Sequence, residues 1–118
     1  MGKTIKELMD KVRMFCEERD WDQFHNPKDL AIGISTEANE LLDIFRFKSM
    51  EQMKNLFEDA NKKVHIEEEL ADTLFFILRF AQMYDIDLAH ALDTKLKKNA
   101  IKYSIKSSKG LNNKYNEL

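Results

Sequence analysis

A chain of 118 residues is of single-domain size, with room for one hydrophobic core and not comfortably for two. Three glycines and one proline interrupt a composition rich in Leu, Lys, Glu, Asp and Ala, which favours long helices over a sheet and predicts an all-α bundle of four to five helices. A net charge of -2, from 19 basic and 21 acidic residues, argues against a nucleic-acid polymer as partner, and the absence of a long apolar run argues against a membrane or signal segment.

A single domain is expected over residues 1–118, with about 104–118 as a polar C-terminal tail. The first helix is predicted over residues 4–19, where Ile5, Leu8, Val12 and Phe15 recur at helical spacing behind Thr4 as N-cap. It carries the one cysteine, Cys16, which is expected to pack rather than react in a reducing, cytoplasmic setting. An aromatic-rich connection follows, with Trp21, Phe24 and His25, and ends at Asn26-Pro27, a cap and first-turn pair. The second helix is predicted over 27–47, with an apolar stripe of Leu30, Ile34, Ala38, Leu41, Leu42 and Phe45. Ser49 caps a shorter third helix holding Met50, Met53, Leu56 and Phe57 and ending near Asn61-Lys62-Lys63. The fourth is expected over 64–84. It is apolar nearly all round after Leu70, which predicts burial on several sides and a subunit interface as well as a core. Asp87 starts a last helix through Leu88, Leu92, Leu96, Ala100 and Tyr103, and Ser107, Ser108, Gly110, Asn112 and Asn113 oppose its continuation.

Two acidic pairs stand out. Glu37 and Glu40 are three residues apart on the flank of the second helix's stripe, and Glu69 and Asp72 repeat the spacing on the fourth, in line with Thr73, Phe76 and Phe80. Such pairs are common in a chain that is 34% charged, but two of them on otherwise apolar helices are poorly explained by a solvated surface. Converging, they would form a carboxylate cluster tolerable only around cations. Oxygen donors alone favour a hard ion, magnesium with manganese as substitute, that leaves positions for phosphate oxygens. A di-iron bundle would need Glu-x-x-His pairs, and the sequence contains none.

The pattern Glu37-x-x-Glu40 with Glu69-x-x-Asp72 resembles that of the MazG-like, all-α nucleotide pyrophosphohydrolases. The segments from Glu18 to Pro27, from Phe45 to Ser49 and from Glu68 to Asp72, then Lys95 to Asn99, Lys102-Tyr103, Ser108 to Gly110 and Lys114-Tyr115, resemble its dCTP pyrophosphatase-like branch. This resemblance implies hydrolysis of a nucleoside triphosphate to monophosphate and pyrophosphate, with Glu37, Glu40, Glu69 and Asp72 as magnesium ligands and catalytic groups. It implies a homo-oligomer, dimer or tetramer, with active sites near subunit interfaces, and a role in clearing unwanted nucleotides. Phe47 departs from the tryptophan often found there, and Ser104 from a proline.

Trp21 and His25 are candidates to stack on and hydrogen-bond to a nucleobase, with packing between helices one and two as the alternative, and Phe47 is a candidate wall. Lys95, Asn99 and Lys102 share one side of the last helix. The resemblance assigns Lys95 and Asn99 to phosphate or metal, with Tyr103 and Lys109 as further candidates. A non-catalytic helical interaction module is the competing expectation, and it predicts no turnover.

Overall fold

Local side-chain caps account for where the helices begin. Thr4 Oγ1 accepts the Glu7 N–H at 3.1 Å and opens α1 (Ile5–Glu18). Asn26 accepts the Asp29 N–H at 2.9 Å ahead of Pro27, the first residue of α2 (Pro27–Phe45). A reciprocal capping box between Ser49 and Gln52, at 2.8 and 3.1 Å, starts α3 (Met50–Glu58). Asp59 accepts the N–H groups of Asn61 and Lys62, so α4 (Ala60–Met83) begins immediately after α3. The Asn61-Lys62-Lys63 run is therefore the first turn of α4 and not a break before it, because one carboxylate satisfies two otherwise orphaned donors. Asp87 caps α5 (Leu88–Lys102) through the His90 N–H at 2.9 Å.

The computed structural model describes residues 2–105, 109 and 110, and among them there is no strand. The second helix also ends earlier than expected. α2 stops at Phe45, and Phe47 takes the left-handed conformation at φ 61°, a position no glycine is available to fill. Such a conformation costs a bulky residue roughly 1–2 kcal/mol.

The chain divides into two compact units, Met1–Asp85 and Ile86–Leu118. In the first, α2 packs chiefly on α4, and α1 and α3 also lie against α4. The α2–α4 pair is antiparallel: Gly33 meets Phe76, Glu37 shares a cleft with Asp72, and Glu40 shares another with Glu69. Cys16, Leu30, Leu56, Ile66, Leu78 and Ala81 form the buried apolar core, and Arg79, at 1% exposure, is buried among them. The burial of Cys16 raises its thiol pKa, in keeping with the expected packing role. Of the apolar residues along α4, Phe75 packs edge-on to Phe15 at 6.0 Å within the chain, while Leu70 and Leu74 are exposed.

The second unit contains α5. An ion pair from Lys97 to Asp93 at 3.2 Å runs along it, and Leu92 and Leu96 are exposed.

Candidate functional site: a carboxylate cluster between two clefts

The antiparallel register of α2 and α4 brings the acidic pairs face to face. Glu37, Glu40 and Glu69 each offer one carboxylate oxygen such that all three lie within 4.8 Å of one another. Asp72 adds its charge to this group, acting on both Glu37 and Glu69. Among the described residues no lysine or arginine forms an ion pair with any of the four, and His65 Nδ1 lies 4.0 Å from Glu69 Oε1. Glu37 Oε2 and Glu69 Oε2 are buried and lack a hydrogen-bond partner, a costly arrangement for a carboxylate.

These conditions oppose ionisation. The Glu37 carboxyl is pushed up to about 7, first by burial, then by a carboxyl–carboxyl hydrogen bond with Glu40 and the charges of Glu40, Asp72 and Glu69. Burial and Glu40 likewise hold Glu69 above the usual carboxylate range. Oxygen-only donors, two buried unpartnered oxygens and mutual repulsion fit a hard divalent cation, which would satisfy the oxygens and offset the repulsion.

The cluster stands between two clefts of different chemistry. One, of about 600 Å³, is walled by Val12, Phe15, Trp21, Phe75 and Phe76, with Glu37, Asp72 and Lys11 at its polar margin. Its size suits a small organic ligand. Phe15 meets Trp21 edge-on at 5.6 Å, and Phe75 meets Phe76 at 5.3 Å, so the walls are rings held by other rings. The other cleft, of about 550 Å³, is lined by Glu40 and Glu69 together with Lys48, Lys62 and His65.

The connection from α1 to α2 is tied down from behind. Arg79 donates from Nε to His25 Nδ1 at 2.8 Å and from Nη1 to Gln82 Oε1 at 2.6 Å, and its Nη2 pairs with Asp22. His25 lies 6.1 Å from Trp21, ring centre to ring centre. Burial, then the Arg79 charge, lowers the His25 pKa against the opposing influence of Asp22.

The structure thus joins Glu37, Glu40, Glu69, Asp72 and Trp21 at one place, with His25 beside Trp21. It does not bring Phe47 there within the chain, since that ring is 97% exposed. Lys95, Asn99, Tyr103 and Lys109 belong to the second unit: Lys95 is exposed, Asn99 is half-buried, and the Asn99 carbonyl accepts the Tyr103 N–H at 2.7 Å. Lys114 and Tyr115 lie outside the described residues. Sequence reasoning missed Lys48, Lys62 and His65, whose convergence depends on the early start of α4, and Arg79, which stands within an apolar run.

Comparison with known proteins agrees with this geometry. The MazG-like family model matches residues 32–118. The chain is 30% identical over 115 residues to dCTP pyrophosphatase 1 of Rattus norvegicus, covering 98% of this chain and 68% of that protein. Against dCTP pyrophosphatase 1 of Homo sapiens the identity is 28% at the same coverage. The crystal structure of a pyrophosphatase from Archaeoglobus fulgidus superposes with a TM-score of 0.79 at 35% identity, covering 88% of this chain and 95% of the other. With the paired carboxylates, the helical fold and these likenesses together, the chain belongs to the MazG-like family, in its dCTP pyrophosphatase-like branch of nucleotide pyrophosphohydrolases.

Proposed function

We propose that the chain hydrolyses a nucleoside triphosphate, with dCTP or a modified nucleotide as first candidate, to the monophosphate and pyrophosphate in a magnesium-dependent reaction. The observation that carries this is the carboxylate cluster, with its buried unpartnered oxygens, at the edge of an aromatic cleft. Glu37, Glu40, Glu69 and Asp72 would hold the cation. When bound, magnesium offsets the negative charge on the phosphates and orients them.

The chain's own residues supply the rest. Trp21 offers a face for base stacking, His25 a hydrogen bond, and Phe15, Phe75 and Phe76 exclude water from that end. A carboxylate of the cluster takes the proton from the attacking water. Lys95 and Asn99 are assigned to the phosphates on the resemblance and their shared side of α5, with Tyr103 and Lys109 in support. A homo-oligomer, dimer or tetramer, is supported by the exposure of Phe47, Met50, Leu70 and Leu74, and Phe47 would then act across a subunit boundary. No helix among the described residues is long and apolar enough to cross a membrane. The role proposed is cytoplasmic clearance of unwanted nucleotides.

A panel of ribo- and deoxyribonucleoside triphosphates incubated with magnesium, with products separated, tests the proposal. Pyrophosphate from at least one pyrimidine substrate is expected. Absence of turnover across the panel would favour the non-catalytic interaction module.

A further inference from the structure

Arg79 is a fully buried cation on α4, outside the carboxylate cluster, and all three sides of its guanidinium are engaged. Burying such a group is unfavourable unless its geometry is used, because an apolar residue of similar size would fill the same space at less cost. What the geometry does is tie α4 to the segment that carries Trp21 and His25. The anchoring is asymmetric: Gln82 holds the guanidinium from its own helix, while Asp22, half-exposed, and His25 are the two groups taken from the connection.

The direction of the bond to His25 carries the consequence. A guanidinium only donates, so His25 Nδ1, 2.8 Å from Arg79 Nε, must accept with its lone pair. A neutral imidazole with Nδ1 unprotonated has its proton on Nε2. We propose that Arg79 is a positioning residue that fixes His25 as an Nε2–H donor, so that the base edge facing His25 must present an acceptor, such as a ring carbonyl, and not an amino group. This deepens the nucleotide reading above and rests on it for the identity of the ligand. Protonated His25 would set an Nδ1–H against Arg79 Nε–H, and the lowered pKa agrees with exclusion of that form. Arg79 and Asp22 are the charged groups that act on the ring, and their mutual pairing keeps the guanidinium in place as the donor.

The tautomer can be observed without any substrate. The full chain is labelled with nitrogen-15 at histidine, and long-range proton–nitrogen correlation spectra are recorded at neutral pH, with His25→Gln assigning the signal. A single Nε2–H tautomer is expected for His25 in the native chain, and a mixture in Arg79→Lys and Arg79→Met. An Nδ1–H tautomer or a mixture in the native chain overturns the proposal, and that spectrum decides even where an Arg79 variant does not fold.

The kinetic arm separates positioning from structure. His25→Gln places an amide donor near the Nε2 position but gives up the acceptor for Arg79 Nε, and is expected to raise KM by about threefold, less than a variant that cannot reach that position. His25→Asn, whose amide reaches only the Nδ1 position, is expected to raise KM by about tenfold with kcat nearly unchanged, as for loss of one hydrogen bond made equally in ground and transition states. Equal effects of the two substitutions in folded protein overturn the donor assignment. An Nε2–H tautomer in a native chain that turns over no nucleotide overturns the base-recognition half of the proposal and the nucleotide reading with it. An Nδ1–H tautomer in an active chain overturns this proposal alone.

Discussion

Replacing Gly33 with alanine tests how the two central helices are brought together. A Cβ built on Gly33 lies 2.6 Å from Phe76 Cδ1 and Cε1 and 2.9 Å from Cγ. Carbon atoms prefer separations of about 3.5–4.0 Å, so the ring or the helix must move by roughly 1 Å. Because Cγ sits at the root of the ring, rotation about its own axis brings no relief. Alanine gains about 1 kcal/mol over glycine in a helix interior. Overpacking of a well-filled contact costs about 1–3 kcal/mol. The net effect runs from near zero to a loss of about 2 kcal/mol, which for a chain of this size lowers Tm by up to roughly 8 °C. Phe76 walls the aromatic cleft one turn from Asp72, so the displacement is also expected to raise KM more than it lowers kcat. Thermal unfolding of Gly33→Ala, Phe76→Leu and the double variant is the assay. The smaller, flexible side chain relieves the clash, and a coupling of about 1 kcal/mol or more is expected between the two sites. A Gly33→Ala protein more stable than the parent, with no coupling to Phe76, would refute the close approach as the origin of the register.

Three further outcomes are expected. Glu40→Gln and Asp72→Asn each remove a charge from the cluster while keeping side-chain volume, so turnover should vanish with the circular dichroism spectrum unchanged; activity in both at low magnesium would count against the cluster. Trp21→Ala should raise KM about tenfold and blur base preference, since stacking on one base is worth about 1–3 kcal/mol, whereas Lys95→Ala should impair all triphosphates alike; steady-state kinetics across bases distinguishes them. Stability without metal should respond to Glu37, whose folded pKa of about 7 lies above its ordinary 4.5. The folded chain binds more protons than the unfolded chain between these values, so this contribution is present at low pH and is lost as pH rises through 7. Magnesium needs the ionised carboxylate and should therefore raise Tm at about pH 8 and little at about pH 5, and a reversed dependence in thermal scans would contradict it.

Helix positions were legible in the sequence where a cap and a stripe coincide. Thr4, Asn26, Ser49 and Asp87 are all side-chain caps in the structure. Asp59 was not legible, because an aspartate in a polar run looks like solvated surface until its oxygen is seen on two backbone donors. The paired spacing of Glu37, Glu40, Glu69 and Asp72 pointed to the cluster, since i,i+3 carboxylates share a helix side wherever the helix packs. What spacing could not supply was the register: Gly33 against Phe76 is a contact between α2 and α4, and it sets which carboxylates meet. Arg79 was hidden for the same reason, as its partners Asp22 and His25 lie 57 and 54 residues away along the chain. Phe47 shows the opposite limit: a motif position named it, and among the described residues its ring stands 97% exposed on a left-handed turn.

The proposed reaction cleaves between the α and β phosphates at a metal-dependent site. Phosphorus NMR of a dCTP solution with the purified chain and magnesium follows both products at once. Pyrophosphate and dCMP should appear together in equal amounts and stop when a chelator is added; dCDP with orthophosphate, or hydrolysis indifferent to the chelator, would contradict it.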